Sequence, residues 1–202
     1  MNSSVQTQFL QDTMGSYPER MEIIRALEGF GLPDSWVAAG FVRNAVWDHL
    51  HGYRMLTPLN DIDVCYFDPA DTSSDTELET AHQLSRLFPG ERFSIKNQAR
   101  MHIRNKHDPY TSTADAVSRW TETCTSVGVA WDENLQILAP HGLTDLLQLV
   151  VRPTSPDFHT RTLVAKRIAD KGWLHRWPKL RILRADESLD SEQPRVSEAG
   201  DR

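Results

Sequence analysis

Asp61 and Asp63 stand one residue apart in the stretch Asn60-Asp61-Ile62-Asp63-Val64. On an extended strand this spacing turns both carboxylates to one face, about 7 Å apart along the chain, and sends the alternate residues to the other. Two acids side by side on a strand of buried type are costly unless positive charge lies between them. A divalent cation is the simplest answer. Oxygen ligands of this kind favour magnesium, which keeps waters and takes up substrate phosphates. Two such ions about 4 Å apart would suit in-line attack at phosphorus. An Asp-x-Asp triplet at a strand start is also an ordinary cap or turn, so the pair needs a setting.

A second group lies upstream, in Ala39-Gly40-Phe41-Val42-Arg43-Asn44. A short strand runs into Gly40 and a helix follows. Glycine lets a backbone turn approach an anion closely, and a helix N-terminus offers free N–H groups to a phosphate. Arg43 could add a fork of donors. The alternative is a strand-to-helix turn with a solvated arginine. Further along, Lys96, Arg100 and His102 alternate on the polar face of an expected strand, within reach of triphosphate or acceptor if that strand adjoins the Asp-x-Asp strand. Asn97 falls on its apolar face and should have a buried partner.

The elements that must position these groups follow from periodicity. Helical spacing marks Pro18 to Phe30, Phe41 to Leu50, Thr76 to Phe88, Thr113 to Thr123, Gly142 to Val151 and Thr160 to Leu174. In the third of these, Leu78, Ala81, Leu84, Leu87 and Phe88 make the apolar face. Strand patterns cover Trp36 to Ala39, Asp61 to Phe67, Phe93 to Ile103, Val127 to Trp131 and Gln136 to Ala139. Helices alternating with strands predict a layered α+β (α/β) domain over residues 17–185. Residues 1–16 are expected as a flexible N-terminus and residues 186–202 as a disordered acidic tail.

The order of strand, glycine turn, helix and Asp-x-Asp strand resembles the DNA polymerase β-like nucleotidyltransferase superfamily. Gly-x-Val-Arg followed by Asp-Ile-Asp is similar to the head of the tRNA CCA-adding enzymes and poly(A) polymerases. There Gly-Gly-x-Val-Arg-Asp precedes Asp-x-Asp; here Ala39 stands at the first glycine and Asn44 at the last aspartate. A longer set resembles one bacterial nucleotidyltransferase family over roughly residues 20–155. It comprises Gly40 to Asp48, His51-Gly52, Asp61 to Val64, Phe67-Asp68, Lys96 to His102, Trp120 and Glu122-Thr123.

The resemblance implies a minimal polymerase β-like fold, a mixed sheet flanked by helices. It implies Asp61 and Asp63 as catalytic magnesium ligands. Gly40, Arg43, Asn44, Lys96, Asn97 and Arg100 become the expected binding set for ATP or another nucleoside triphosphate. Many superfamily members add a third carboxylate on the neighbouring strand, but Phe93 to Ile103 holds none. The implied reaction moves a nucleoside monophosphate group to an acceptor hydroxyl on RNA, protein or a small molecule. The competing reading is a non-catalytic nucleotide- or RNA-binding protein, or an antitoxin-like interaction protein, on the same fold.

Composition narrows the setting. The chain has 202 residues, 22 Lys and Arg against 28 Asp and Glu, and a net charge of −6. That balance argues against coating DNA. The apolar runs are far too short for a membrane span. Two cysteines with no C-x-x-C, and no signal-peptide pattern, predict a reduced cytoplasmic protein. The basic residues between 161 and 184 could meet RNA or form a solvated helix face.

Overall fold

The structure, a computed structural model, describes residues 1–189. In chain order its elements are α1 (Ser3–Gly15), α2 (Pro18–Glu28), β1 (Trp36–Ala38), α3 (Gly40–His51), β2 (Ile62–Tyr66), α4 (Asp75–Leu87), β3 (Phe93–Asn97), α5 (Gln98–Asn105), α6 (Thr113–Ser118), β4 (Gly128–Asp132), β5 (Asn134–Leu138), α7 (Thr144–Leu147), β6 (Val150–Val151), α8 (Phe158–Asp170), α9 (Trp173–Arg176) and β7 (Arg181–Ile182). Five strands form one mixed sheet in the order β3-β2-β1-β4-β5. The pair β2–β3 is parallel and the other three pairs are antiparallel. β6 and β7 make a separate parallel pair. The expected α+β architecture is therefore the observed one.

β1 lies at the centre of the sheet, where Ala38 is in register with Asp63 on one side and Gly128 on the other. The Asp-x-Asp strand and the glycine turn are thus neighbours by hydrogen-bond register. α3 leaves the end of β1 and is buried from Phe41 through Asp48. Its Trp47 meets Trp173 and Trp177 edge-on, with centroids 5.4 and 5.0 Å apart. Such aromatic pairs contribute about 0.5–1.5 kcal/mol each beyond burial. Fully buried Asp48 accepts hydrogen bonds from Trp177 Nε1 (2.7 Å) and from the backbone N and Oγ1 of Thr57 (2.6 and 2.7 Å). One carboxylate therefore ties α9 and the 52–60 loop to the helix after Gly40.

Several expectations are corrected. The helix expected over Gly142 to Val151 is only α7, and Val150–Val151 forms strand β6, while the helix expected over Thr113 to Thr123 ends at Ser118. The first sixteen residues are not a frayed end. α1 is capped by the Asn2 side chain, buries Leu10 and Met14 completely, and donates from Gln11 Nε2 to the Leu135 carbonyl (2.8 Å). Phe93 to Ile103 is not one strand. β3 stops at Asn97, whose Oδ1 accepts from Ala99 N and so caps α5. α4 buries its apolar face only in part: Leu84 is fully buried with Ala81 and Phe88 packed against the core, but Leu78 and Leu87 are each 59% exposed, and Glu77 and Thr80 face inward. Of the expected acidic tail, residues 190–202 lie outside the described residues, and 186–189 carry no helix or strand. Among the described residues no helix is long and apolar enough to cross a membrane.

Candidate active site

Ala39 links β1 to α3 with φ 55° and ψ −124°. This is a glycine-like conformation, strained for any residue with a Cβ. Ala39 is held there because its N–H donates to the Val127 carbonyl (2.9 Å) while its carbonyl accepts from Arg43 N (2.9 Å). The sharp turn that sequence reasoning assigned to Gly40 thus falls one residue earlier. A Cβ on Gly40 would meet only ordinary contacts, 3.5 Å from Arg43 Nη2 and 3.7 Å from Leu59. The protein itself leaves room there.

That room belongs to a small hollow of about 130 Å³ lined by Gly40, Arg43, Asn44, Asp61, Asp63 and Lys171. Both carboxylates therefore reach the same hollow as the glycine turn. Asp61 precedes β2 and is exposed; Asp63 is on β2 and half-buried. Burial, with the charge of Asp61 next, pushes the Asp63 carboxyl from 3.8 up to about 6. Lys171 is lowered, mainly by burial, and feels both aspartates. The donor set is two carboxylate side chains. Among the described residues no group of three or more His, Cys, Asp or Glu side chains could hold a metal ion. Two carboxylates fit magnesium, which fills its remaining positions with waters and phosphate oxygens. They do not fit a dedicated all-protein cage.

Asp63 also lines a second, larger hollow of about 730 Å³, together with His107, Arg119, Trp120, Glu122 and Arg167. Arg167 lines both hollows. Its Nε donates to Oε1 of Glu122 at 2.6 Å, and Glu122 is fully buried.

The other expected ligand-binding residues divide. Arg43 borders the small hollow but is 4% exposed. Its Nη1 donates to Thr125 Oγ1 (2.8 Å), its Nη2 donates to Asn44 Oδ1 (2.9 Å), and its guanidinium stacks 4.4 Å from the Trp173 centroid. Burial lowers its pKa to about 10. The guanidinium fork is already engaged within the protein, and so is Asn44. Lys96 and Arg100 do not line the hollow of the aspartates. Both pair with buried Glu77, at 3.1 and 2.6 Å, beside a separate surface depression. Asn97 is fully buried. Its Oδ1 accepts from Asp68 N and Ala99 N, and its Nδ2 donates to the carbonyls of Asp68 and Asp71. All of its side-chain hydrogen bonds hold backbone, so it acts as a keystone of the β3–α5 corner.

Sequence reasoning missed Arg167 and Lys171 as neighbours of the aspartates, taking them for a basic helix face. Their four-residue spacing places them on one side of α8 and its cap, which was the available signal. Nothing local marked which side turns inward.

A five-stranded mixed sheet with a glycine turn and an Asp-x-Asp pair in adjacent register defines a polymerase β-like nucleotidyltransferase class. The chain belongs to a nucleotidyltransferase family, whose model matches residues 25–182. It is 34% identical to a protein whose NMR structure is described as a CCA-adding enzyme head domain. That match has a TM-score of 0.76 over 88% of this chain and 95% of the other. Two further matches are a tRNA-processing enzyme in an apo form (18% identity, TM-score 0.49) and the Bacillus stearothermophilus CCA-adding enzyme in complex with CTP (16%, 0.45). They cover 81% and 75% of this chain, which spans only 45% and 37% of theirs. No curated protein matches the chain.

Proposed function

We propose that this chain transfers a nucleoside monophosphate group from a nucleoside triphosphate to an acceptor hydroxyl, with Asp61 and Asp63 as its magnesium ligands. The observation that carries the reading is the convergence of Asp61, Asp63 and the Gly40 turn on one small polar hollow, in a chain of nucleotidyltransferase lineage. Bound magnesium would neutralise the triphosphate and lower the pKa of the attacking hydroxyl. The Gly40 turn, where a side chain would otherwise project, would receive the terminal phosphates, with Lys171 contributing charge.

The acceptor oxygen forms a bond to the α-phosphorus and the bridging α–β P–O bond breaks. Pyrophosphate leaves with that electron pair, and the hydroxyl proton passes to water. In-line geometry puts the attacking oxygen opposite the leaving pyrophosphate. With pyrophosphate in the small hollow, the acceptor would approach from the large hollow, which Asp63 also lines.

The test is label transfer from each of the four α-labelled ribonucleoside triphosphates, with magnesium, into a cell extract. The native chain should label a product with at least one nucleotide, and Asp61→Ala with Asp63→Ala should not, while circular dichroism of the two remains the same. Equal labelling by the double variant would reject the assignment. Triphosphate binding without any pyrophosphate release would favour a non-catalytic nucleotide-binding protein.

A further inference from the structure

Glu122 and Arg167 form an ion pair that the reaction outlined above does not use. Glu122 has no exposed surface, and its Oε2 is buried with no hydrogen-bond partner among the described residues. A buried carboxylate is costly unless paired, so its compensation comes through Oε1 and the Arg167 guanidinium. Arg167 is bound at Nε, the inner nitrogen, at 2.6 Å. No hydrogen bond to its two terminal nitrogens is found among the described residues. The Arg167 side chain keeps 37% of its surface exposed and lines both hollows, near enough to Asp63 to favour that group's ionised form. The Trp173 ring, 6.0 Å away, bounds its other side.

This is an arginine anchored at its elbow with its fork open, the geometry suited to phosphate oxygens. The other candidate cations are differently placed. The terminal nitrogens of Arg43 are bonded within the protein, Glu77 holds Lys96 and Arg100, Lys171 is a point charge without a fork, and Arg104, Arg119 and Arg176 each line only one of the two hollows. We propose that Arg167 grips the phosphates of the nucleotide at the junction of the two hollows, and that buried Glu122 is the positioning residue that aims it. The proposal rests on the nucleotidyltransferase reading above and adds two residues from outside the Asp-x-Asp and glycine-turn groups.

The probe is magnesium tripolyphosphate, which carries the phosphates without a base, titrated by calorimetry into the intact chain. Arg167→Gln should bind at least about tenfold more weakly than the native chain. Arg167→Lys, which keeps the charge but not the anchor, should fall between. Glu122→Gln should weaken binding in the native background yet have no further effect in the Arg167→Gln background, because it acts only through that side chain. Arg167→Gln leaves the Glu122 carboxylate buried and unpaired, so it should melt below the native chain, and each variant is titrated at a temperature where its circular dichroism is native. Binding by Arg167→Gln within about twofold of native, with Asp63→Asn binding lost, would overturn this proposal and leave the Asp pair standing. An equal loss from Glu122→Gln in both backgrounds would make that residue structural only and overturn its positioning role. Failure of the native chain to bind the probe would overturn both readings.

Discussion

Asp63 carries the clearest electrostatic mark in the site. Its folded pKa of about 6 lies above the ordinary 3.8, because burial and the charge of Asp61 both disfavour the anion. The folded chain therefore holds this proton more tightly than the unfolded chain does. The resulting stability is fully present below about pH 3.8 and is lost as the pH rises through about 6. Asp63→Asn removes the titration. In magnesium-free urea denaturation the variant should gain stability over the native chain between pH 4 and 7.5, reaching a difference on the order of 2–3 kcal/mol. A difference independent of pH would contradict this account of the carboxylate.

Two neighbours separate turn geometry from ligand space. Ala39 holds a strained positive φ, so Ala39→Gly should stabilise the fold by about 1 kcal/mol in the same denaturation assay. Gly40→Ala should unfold at the native midpoint, since its Cβ meets only ordinary contacts, yet bind triphosphate more weakly by calorimetry. The Asp pair and Gly40 were legible because their chemistry is written in local spacing. The Glu122–Arg167 pair was not, because its partners are 45 residues apart and meet only through the packing of α8.

At the scale of elements, most helices and strands followed from periodicity, and the failures at β3–α5 and at α4 share a cause. β3 and α5 fused into one apparent strand because the alternation of Phe93 to Ile103 continues across Asn97. The break depends on a side chain capping the helix and bonding to a loop 26–29 residues away, which no local pattern encodes. Likewise α4 turns Glu77 inward to hold Asn97 N, Lys96 and Arg100 at that corner, and leaves Leu78 and Leu87 in solvent. Asn97→Ala would strand several backbone groups at once. It should cost roughly 3 kcal/mol or more in chemical denaturation, far above an exposed Asn→Ala change.

At the scale of the molecule, α1 belongs to the core. Leu10 and Met14 are fully buried in the same apolar cluster as Trp47 and Ile62. Leu10→Ala should therefore cost about 2–5 kcal/mol, against nearly nothing for an appended segment. The polar composition of residues 1–16 hid this, because one helix face carries all of the burial. The wider arrangement joins two halves of the chain. β1, α3 and β2 supply the glycine turn and the aspartates, while α8 and α9 bring Arg167, Lys171 and the tryptophans that lock onto α3. The most direct test of the whole account is anomalous scattering from crystals soaked with manganese and a non-hydrolysable triphosphate. The account predicts a metal peak about 2.2 Å from carboxylate oxygens of both Asp61 and Asp63, with the terminal phosphates against Gly40. A metal bound away from that pair, or a triphosphate on the far side of the sheet, would contradict it.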